Sequence, residues 1–285
     1  MNAPRVYRTE AVVLRRHDVG EADRILTLYT PRFGKVRAIA KGARRPKSRL
    51  GGHVELFAHV QLQLAQGRNL DVVTQAEALH HFRYLRDDLW KTAGACYAAE
   101  LVDRFTEERL ENQLLFDLLV QLLTVLDGLD AIGRVGDQQE ESAGPPAAME
   151  LALRNFEIQL LGALGYAPEL RHCVHCGARL VPGEHRFSAT AGGVLCAPCG
   201  RGHPGAQAIS VNAIKVLRLM AQEPFGIFRR LRLEPAAARE VERALRAQIN
   251  HLLERQPRAA EFLDRLRAGS RRSAGLAAVA PLTSG

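Results

Sequence analysis

Four cysteines and a run of seven cations are the residues of this 285-residue chain whose types and spacing can do chemistry. Cys173-Val174-His175-Cys176 and Cys196-Ala197-Pro198-Cys199 form C-x2-C-x19-C-x2-C. Each pair can sit on a tight knuckle and offer two sulfurs at tetrahedral separation, the spacing of a structural zinc site. Four thiolates fill the coordination sphere, so such an ion holds structure rather than activating water. Two disulfides would need an oxidising compartment. The second pair alone has the outline of a thioredoxin-type redox motif, but two pairs so close are better explained by one metal. His172, His175, His185 and His203 could replace a sulfur, though four cysteines suffice. Ligand softness and spacing favour a structural Zn2+ on Cys173, Cys176, Cys196 and Cys199. The fifth cysteine, Cys96, falls in an apolar helical pattern and reads as a core thiol.

The cations lie in GKVRAIAKGARRPKSRLGG, residues 34–52: Lys35, Arg37, Lys41, Arg44, Arg45, Lys47 and Arg49. No acidic residue occurs between Asp23 and Glu55. Lys35 to Lys41 has the alternation of a strand, and Gly42, Pro46, Gly51 and Gly52 then suit a loop. Two readings are open, a solvated basic loop and a surface for phosphate backbones. The charge along the chain bears on the choice. Residues 1–80 carry 14 Lys/Arg against seven Asp/Glu, residues 81–214 carry 11 against 17, and residues 215–285 carry 14 against seven. Basic ends around an acidic middle suit a nucleic-acid binder with a separate protein-facing module.

The elements that must position these residues follow from periodicity. Residues 5–80 read as five short strands: Tyr7–Arg16, Arg24–Thr30, Lys35–Lys41, one around Val60, Leu62 and Leu64, and Leu70–Ala76. With one long loop they suit a small closed barrel of the OB type, although another small sheet has the same periodicity. Tyr29, Phe33 and Phe57 can stack on bases or pack the barrel, and packing is the simpler role for each. From His81 the period becomes helical, with Leu85, Leu89, Ala93, Tyr97, Leu101 and Phe105 on one face and Leu114–Leu126 following. Residues 134–148 read as a polar linker. Met149–Leu164 is helical up to Gly165, Ser210 caps a helix through Met220, and Pro235 opens another reaching about Arg255. A short helix over Arg258–Arg267 precedes a disordered tail at 270–285.

The fold class is therefore α+β and multi-domain: an OB-type barrel over 1–80, a helical domain over 81–269 and an inserted four-cysteine zinc module at 170–203. No secretory leader is visible in MNAPRVYRTEAVV, and Leu114–Leu123 is too short and too interrupted to span a bilayer. A cytoplasmic protein with reduced thiols is expected.

Catalytic signatures are missing. No phosphate-binding G-x-x-x-x-G-K-[ST], dinucleotide G-x-G-x-x-G, H-E-x-x-H or G-x-S-x-G occurs. The zinc-deaminase pattern fails because Gly202 stands where a second cysteine is needed. Asp87-Asp88 and Glu107-Glu108 read as solvated faces. A metal-dependent DNA-processing enzyme with dispersed carboxylates is the alternative to a non-enzymatic binder, and magnesium dependence separates the two.

Residues 21–52, EADRILTLYTPRFGKVRAIAKGARRPKSRLGG, closely resemble the N-terminal signature of the bacterial recombination mediator family RecO. The segment FEIQLLGALGYAPEL before the cysteines is similar as well. The resemblance implies an N-terminal OB-fold, a helical body and a zinc-binding insert. It implies binding to single- and double-stranded DNA and annealing of complementary strands. It also implies cooperation with RecR and the single-strand-binding protein to load RecA on gaps. The family's DNA contacts carry over onto Lys35, Arg37, Lys41, Arg44, Arg45, Lys47 and Arg49. Nothing transfers to residues 134–148 or to the tail after Gly269.

Overall fold

The computed structural model describes residues 6–129, 145–223, 231 and 233–277, with the backbone alone for 271–277. Five strands, β1 (Val6–Val19), β2 (Asp23–Thr30), β3 (Gly34–Ala40), β4 (His59–Ala65) and β5 (Asp71–His80), close into a barrel in the order β1-β2-β3-β5-β4. Every pairing is antiparallel except β3 with β5, which meet in parallel at Ala38–Asp71 and Ile39–Val72. Alternation dictates the interior: Ala11, Val13, Leu26, Leu28, Val36, Ala38, Val60, Leu62 and Leu64 fill it. This is the closed barrel of the OB type.

The chain then becomes helical: α1 (Arg83–Arg86), α2 (Leu89–Phe105), α3 (Gln113–Asp127) and α4 (Ala147–Ala163). A small sheet of β6 (His185–Ser188), β7 (Gly193–Cys196) and β8 (Gln207–Ile209) follows, in the order β7-β6-β8, with the single turn α5 (Ala197–Gly200) between its last two strands. The helices α6 (Val211–Gln222), α7 (Pro235–Leu253) and α8 (Arg258–Ala277) complete the body.

Several boundaries differ from the sequence reading. Leu89 does not continue the Leu85 stripe. The chain breaks at Asp87-Asp88, Asp88 caps α2 by accepting from the Lys91 amide at 2.8 Å, and Leu89 is exposed. The third strand of the cysteine module lies at 207–209, past His203, because three residues are too few for a period to show. The last helix runs on through Gly269 to Ala277, where the Ser270 hydroxyl donates back to the Leu266 carbonyl at 3.0 Å. Of the expected linker, residues 134–144 lie outside the described residues, while Ala147 and Ala148 already belong to α4. Of the expected tail, 278–285 lie outside them.

Barrel and helical body share a core. Val12, Leu14, Tyr29 and Phe57 belong to the same apolar cluster as Tyr97, Leu101, Phe116 and Leu119 of α2 and α3. Polar contacts pin the seam. Lys35 Nζ lies 3.2 Å from the Asp103 carboxylate of α2, and the Arg109 amide donates to the Lys35 carbonyl at 3.0 Å. The buried Asp71 of β5 accepts from Arg109 at 2.7 Å and from the Tyr7 hydroxyl. Gly34, at φ +56°, is required here, since a Cβ would stand 1.9 Å from the Leu110 carbonyl oxygen.

Inside the body, α4 carries the pair Arg154–Glu157 at 2.8 Å, fully enclosed, with the Tyr97 hydroxyl donating to Glu157 at 2.8 Å. Glu242 of α7 extends the network to Arg246 at 3.1 Å and to Arg267 of α8. Arg109 is far more exposed than Arg154, so solvent screens its pair with Asp71 and the enclosed pair matters more to stability. Arg154→Met should therefore destabilise the fold by roughly 3–5 kcal/mol in urea unfolding, because it leaves a buried carboxylate without its cation. Burial already raises the Glu157 pKa, with Arg154 opposing. A carboxyl with a raised native pKa binds more protons folded than unfolded, so stability falls as pH rises from the ordinary glutamate value through the native one. Without Arg154 this loss should grow, and the variant should be relatively more stable at pH 5 than at pH 8.

Candidate nucleic-acid interface and metal centre

The four cysteines converge. Cys173 and Cys176 sit on a turn closed by the Gly177 amide to the Cys173 carbonyl at 2.8 Å, with Gly177 at φ +72°. Cys196 ends β7 and Cys199 lies in α5. Their sulfurs all lie within 4.8 Å of one another, with Cys176 and Cys196 at 3.8 Å. Burial alone would raise the Cys173 thiol, but amides of Cys176, Cys196 and His175 hold it at about 6. Cys199, hydrogen-bonded first to Cys196, is pushed up to about 12. Backbone amides aimed at sulfur, as from Cys196 to Cys173, are what a bound thiolate needs. The residues fit a soft ion held by four sulfurs. His185 donates through Nε2 to the Val181 carbonyl, 2.8 Å away, so it serves the module's own backbone. Among the described residues this is the sole group of three or more His, Cys, Asp or Glu placed around one point.

The predicted cations do not form one patch. Lys35 is half-buried and held by Asp103, so it faces the helical body rather than solvent. Arg44 is exposed but ties the loop to the β1–β2 turn, through Asp18 at 3.3 Å and the Gly20 carbonyl at 3.2 Å. Arg37, Lys41, Arg45, Lys47 and Arg49 are exposed and have no carboxylate partner among the described residues. The loop that carries them is fixed. The Gly42 amide donates to Asp23 at 2.7 Å, the Arg44 amide to Ala22 at 2.9 Å, and Ala43 and Val54 are buried in the barrel core.

Sequence reasoning missed cations from other strands. Arg15 and Arg16 of β1 border one groove with Arg37, about 400 Å³ in volume. Arg24 of β2 meets Arg44 and Arg45 around a second hollow, where Glu55 binds Arg24 at 2.9 Å and also pairs with Arg16. The Arg15-Arg16 pair at the strand end was the available signal. Of the aromatics, Tyr29 and Phe57 are buried against the helical body, and Phe33 packs on Tyr7 with ring centroids 4.5 Å apart. Packing accounts for all three.

The structure defines a two-part protein, an OB-type barrel with an exposed basic loop joined to a helical body that carries a four-cysteine cluster. The family model described as recombination protein O N terminal matches residues 1–82, and its C-terminal counterpart matches 86–135 and 142–261. A DNA repair protein RecO from a Roseiflexus species is 46% identical over 263 residues, covering 92% of this chain and 87% of the relative. Proteins of the same name from Symbiobacterium thermophilum and Dehalococcoides mccartyi are 38% and 37% identical, each over more than nine-tenths of both chains. The chain belongs to the RecO family of DNA repair proteins. Among the described residues, no helix is long and apolar enough to cross a membrane.

The cysteine geometry sets an expected outcome. Purified protein should hold one soft divalent ion per chain, measured by elemental analysis. Cys173→Ser or Cys199→Ser should release it and open residues 170–209 to protease before the barrel melts.

Proposed function

We propose that this chain is a non-enzymatic recombination mediator that binds single- and double-stranded DNA and anneals complementary strands. It acts in the cytoplasm, on the nucleoid, and helps load RecA on gaps coated by the single-strand-binding protein. The observation that carries the DNA reading is a set of exposed cations on a fixed loop of an OB-type barrel, without a carboxylate partner among the described residues: Lys41, Arg45, Lys47 and Arg49, with Arg37 beside them. Like charges crowd there, the nearby carboxylates of Asp18 and Glu55 are already paired with Arg44, Arg24 and Arg16, and a polyanion relieves the remaining repulsion. Arg44 braces the loop, and Lys35 braces the seam to the helices. The helical body is the module that meets RecR and the single-strand-binding protein. The ion held by Cys173, Cys176, Cys196 and Cys199 is Zn2+, with a structural role.

Replacing Lys41, Arg45, Lys47 and Arg49 by serine should weaken binding to a similar degree for every sequence, because phosphate contacts carry no base information. On single-stranded DNA each lost contact removes about 0.7 from the log–log salt slope, so four flatten it by roughly 3. Fluorescence anisotropy across a salt series reads this, with circular dichroism confirming the fold. Unchanged affinity and slope in a folded variant would move the DNA path away from this loop.

A further inference from the structure

We propose that the barrel holds two single strands of DNA at once, in two grooves that the helical body keeps apart. The inference rests on the DNA-binding reading above and assigns that reading a second site. The first groove lies over β1, β2 and β3 and is bordered by Arg15, Arg16 and Arg37, with the carboxylates of Asp103 and Glu108 also on its lining. Asp103 pairs with Arg15 at 3.0 Å and Glu55 with Arg16, so Arg37 is the arginine that a phosphate meets without displacing a carboxylate. The second is larger, about 680 Å³, and lies over β1, β4 and β5, where Arg8, Arg49, Gln61, Gln63 and Gln75 line it.

Strand register builds the second groove. Arg8 of β1 stands opposite Gln63 of β4, which stands opposite Gln75 of β5, so three polar side chains share one row and one face. Arg8 donates through Nε to the Gln63 amide oxygen at 3.1 Å, which leaves its two terminal nitrogens for another acceptor. Arg49 reaches the groove from the basic loop, and Glu77 is the one carboxylate on its lining. Two guanidinium groups meet backbone phosphates, while glutamine amides both donate and accept and so tolerate any base edge. A face that reads no sequence is what an unpaired strand of arbitrary composition requires.

The separation is equally physical. Between Arg8 and Arg15, β1 turns Val12 and Leu14 into the helical core. Beside them His59 packs edge-on against Phe116 of α3, with centroids 5.7 Å apart. Helices therefore cover the middle of the strand that both grooves share. Two strands on one chain replace a bimolecular encounter between polyanions by a local one, at an effective concentration in the millimolar range.

The test uses the full chain and a labelled oligodeoxythymidylate of about eight nucleotides, within the span one such barrel covers. Stoichiometric titration should saturate at two oligonucleotides per chain. Arg8→Ser with Arg49→Ser should reduce this to one, and so should Arg15→Ser with Arg37→Ser, each with an unchanged circular dichroism melt. Either double variant should slow annealing of a complementary pair by at least about tenfold while its remaining site keeps its affinity. Saturation at one oligonucleotide per wild-type chain would overturn the inference, since one strand would then occupy both grooves. So would two double variants that weaken the same single isotherm. No binding by the wild-type chain would overturn the DNA reading itself, and this inference with it.

Discussion

The two faces of β1 are the constraint on which the rest depends. Ala11 and Val13 point into the barrel, while Val12 and Leu14 point into the helical core. A strand alternates with a period of two, so a slip of one residue would exchange these sets and expose both cores. The irregularity between Val13 and Arg15 then re-aims the end of the strand, and Arg15, Arg16 and His17 emerge beside β2. One strand thus closes the barrel, anchors the helices and delivers cations to the surface. Barrel and body cannot be treated as beads on a string, because the barrel alone would present Val12, Leu14, Tyr29 and Phe57 to water.

The body solves a related problem with charge. Its central helix α4 is buried on nearly every side, including Arg154, Asn155 and Glu157. Such groups cost several kcal/mol unless paired, roughly as much as a few buried leucines contribute. Glu157 meets Arg154 and Tyr97, and Glu242 receives Arg246 and Arg267, so α2, α4, α7 and α8 are fixed in one register. The cysteine module docks on this frame through Arg218 of α6, which donates to the Leu170 carbonyl at 2.8 Å, just before the first cysteine knuckle.

Much of this was legible in the sequence. Barrel strands announce themselves because each is half-buried, so Val60, Leu62 and Leu64 alternate with polar neighbours. The cysteine cluster is legible because spacing alone constrains a four-sulfur site. What stayed hidden has physical causes. Residues 17–19 extend β1 in a polar arm that buries nothing, so no alternation marks them. Gly269 resembles a helix stop, yet a glycine inside a helix costs only about 1 kcal/mol, and α8 continues past it. Lys35 reads as one cation of seven because its partner, Asp103, lies 68 residues away on a helix.

That last case bears on how charge counts are read. The acidic excess of residues 81–214 does not translate directly into an acidic surface. Glu157 is enclosed, and Asp103 is largely covered between Lys35 and Arg15. Asp88 and Asp127 are spent on the amides of Lys91 and Leu85, Glu100 on those of Arg258 and Ala259, and Glu169 on those of Arg171 and His172. Each of these carboxylates already has its counter-charge or its donors inside the fold, so it adds little field outside. The barrel's loop is the opposite case. Lys41, Arg45, Lys47 and Arg49 of the loop, with Arg37 of β3 beside them, have no carboxylate partner among the described residues. Charge left unpaired after folding, rather than net charge by segment, is what reaches a partner. By that measure the barrel's basic face is better defined than the body's acidic one.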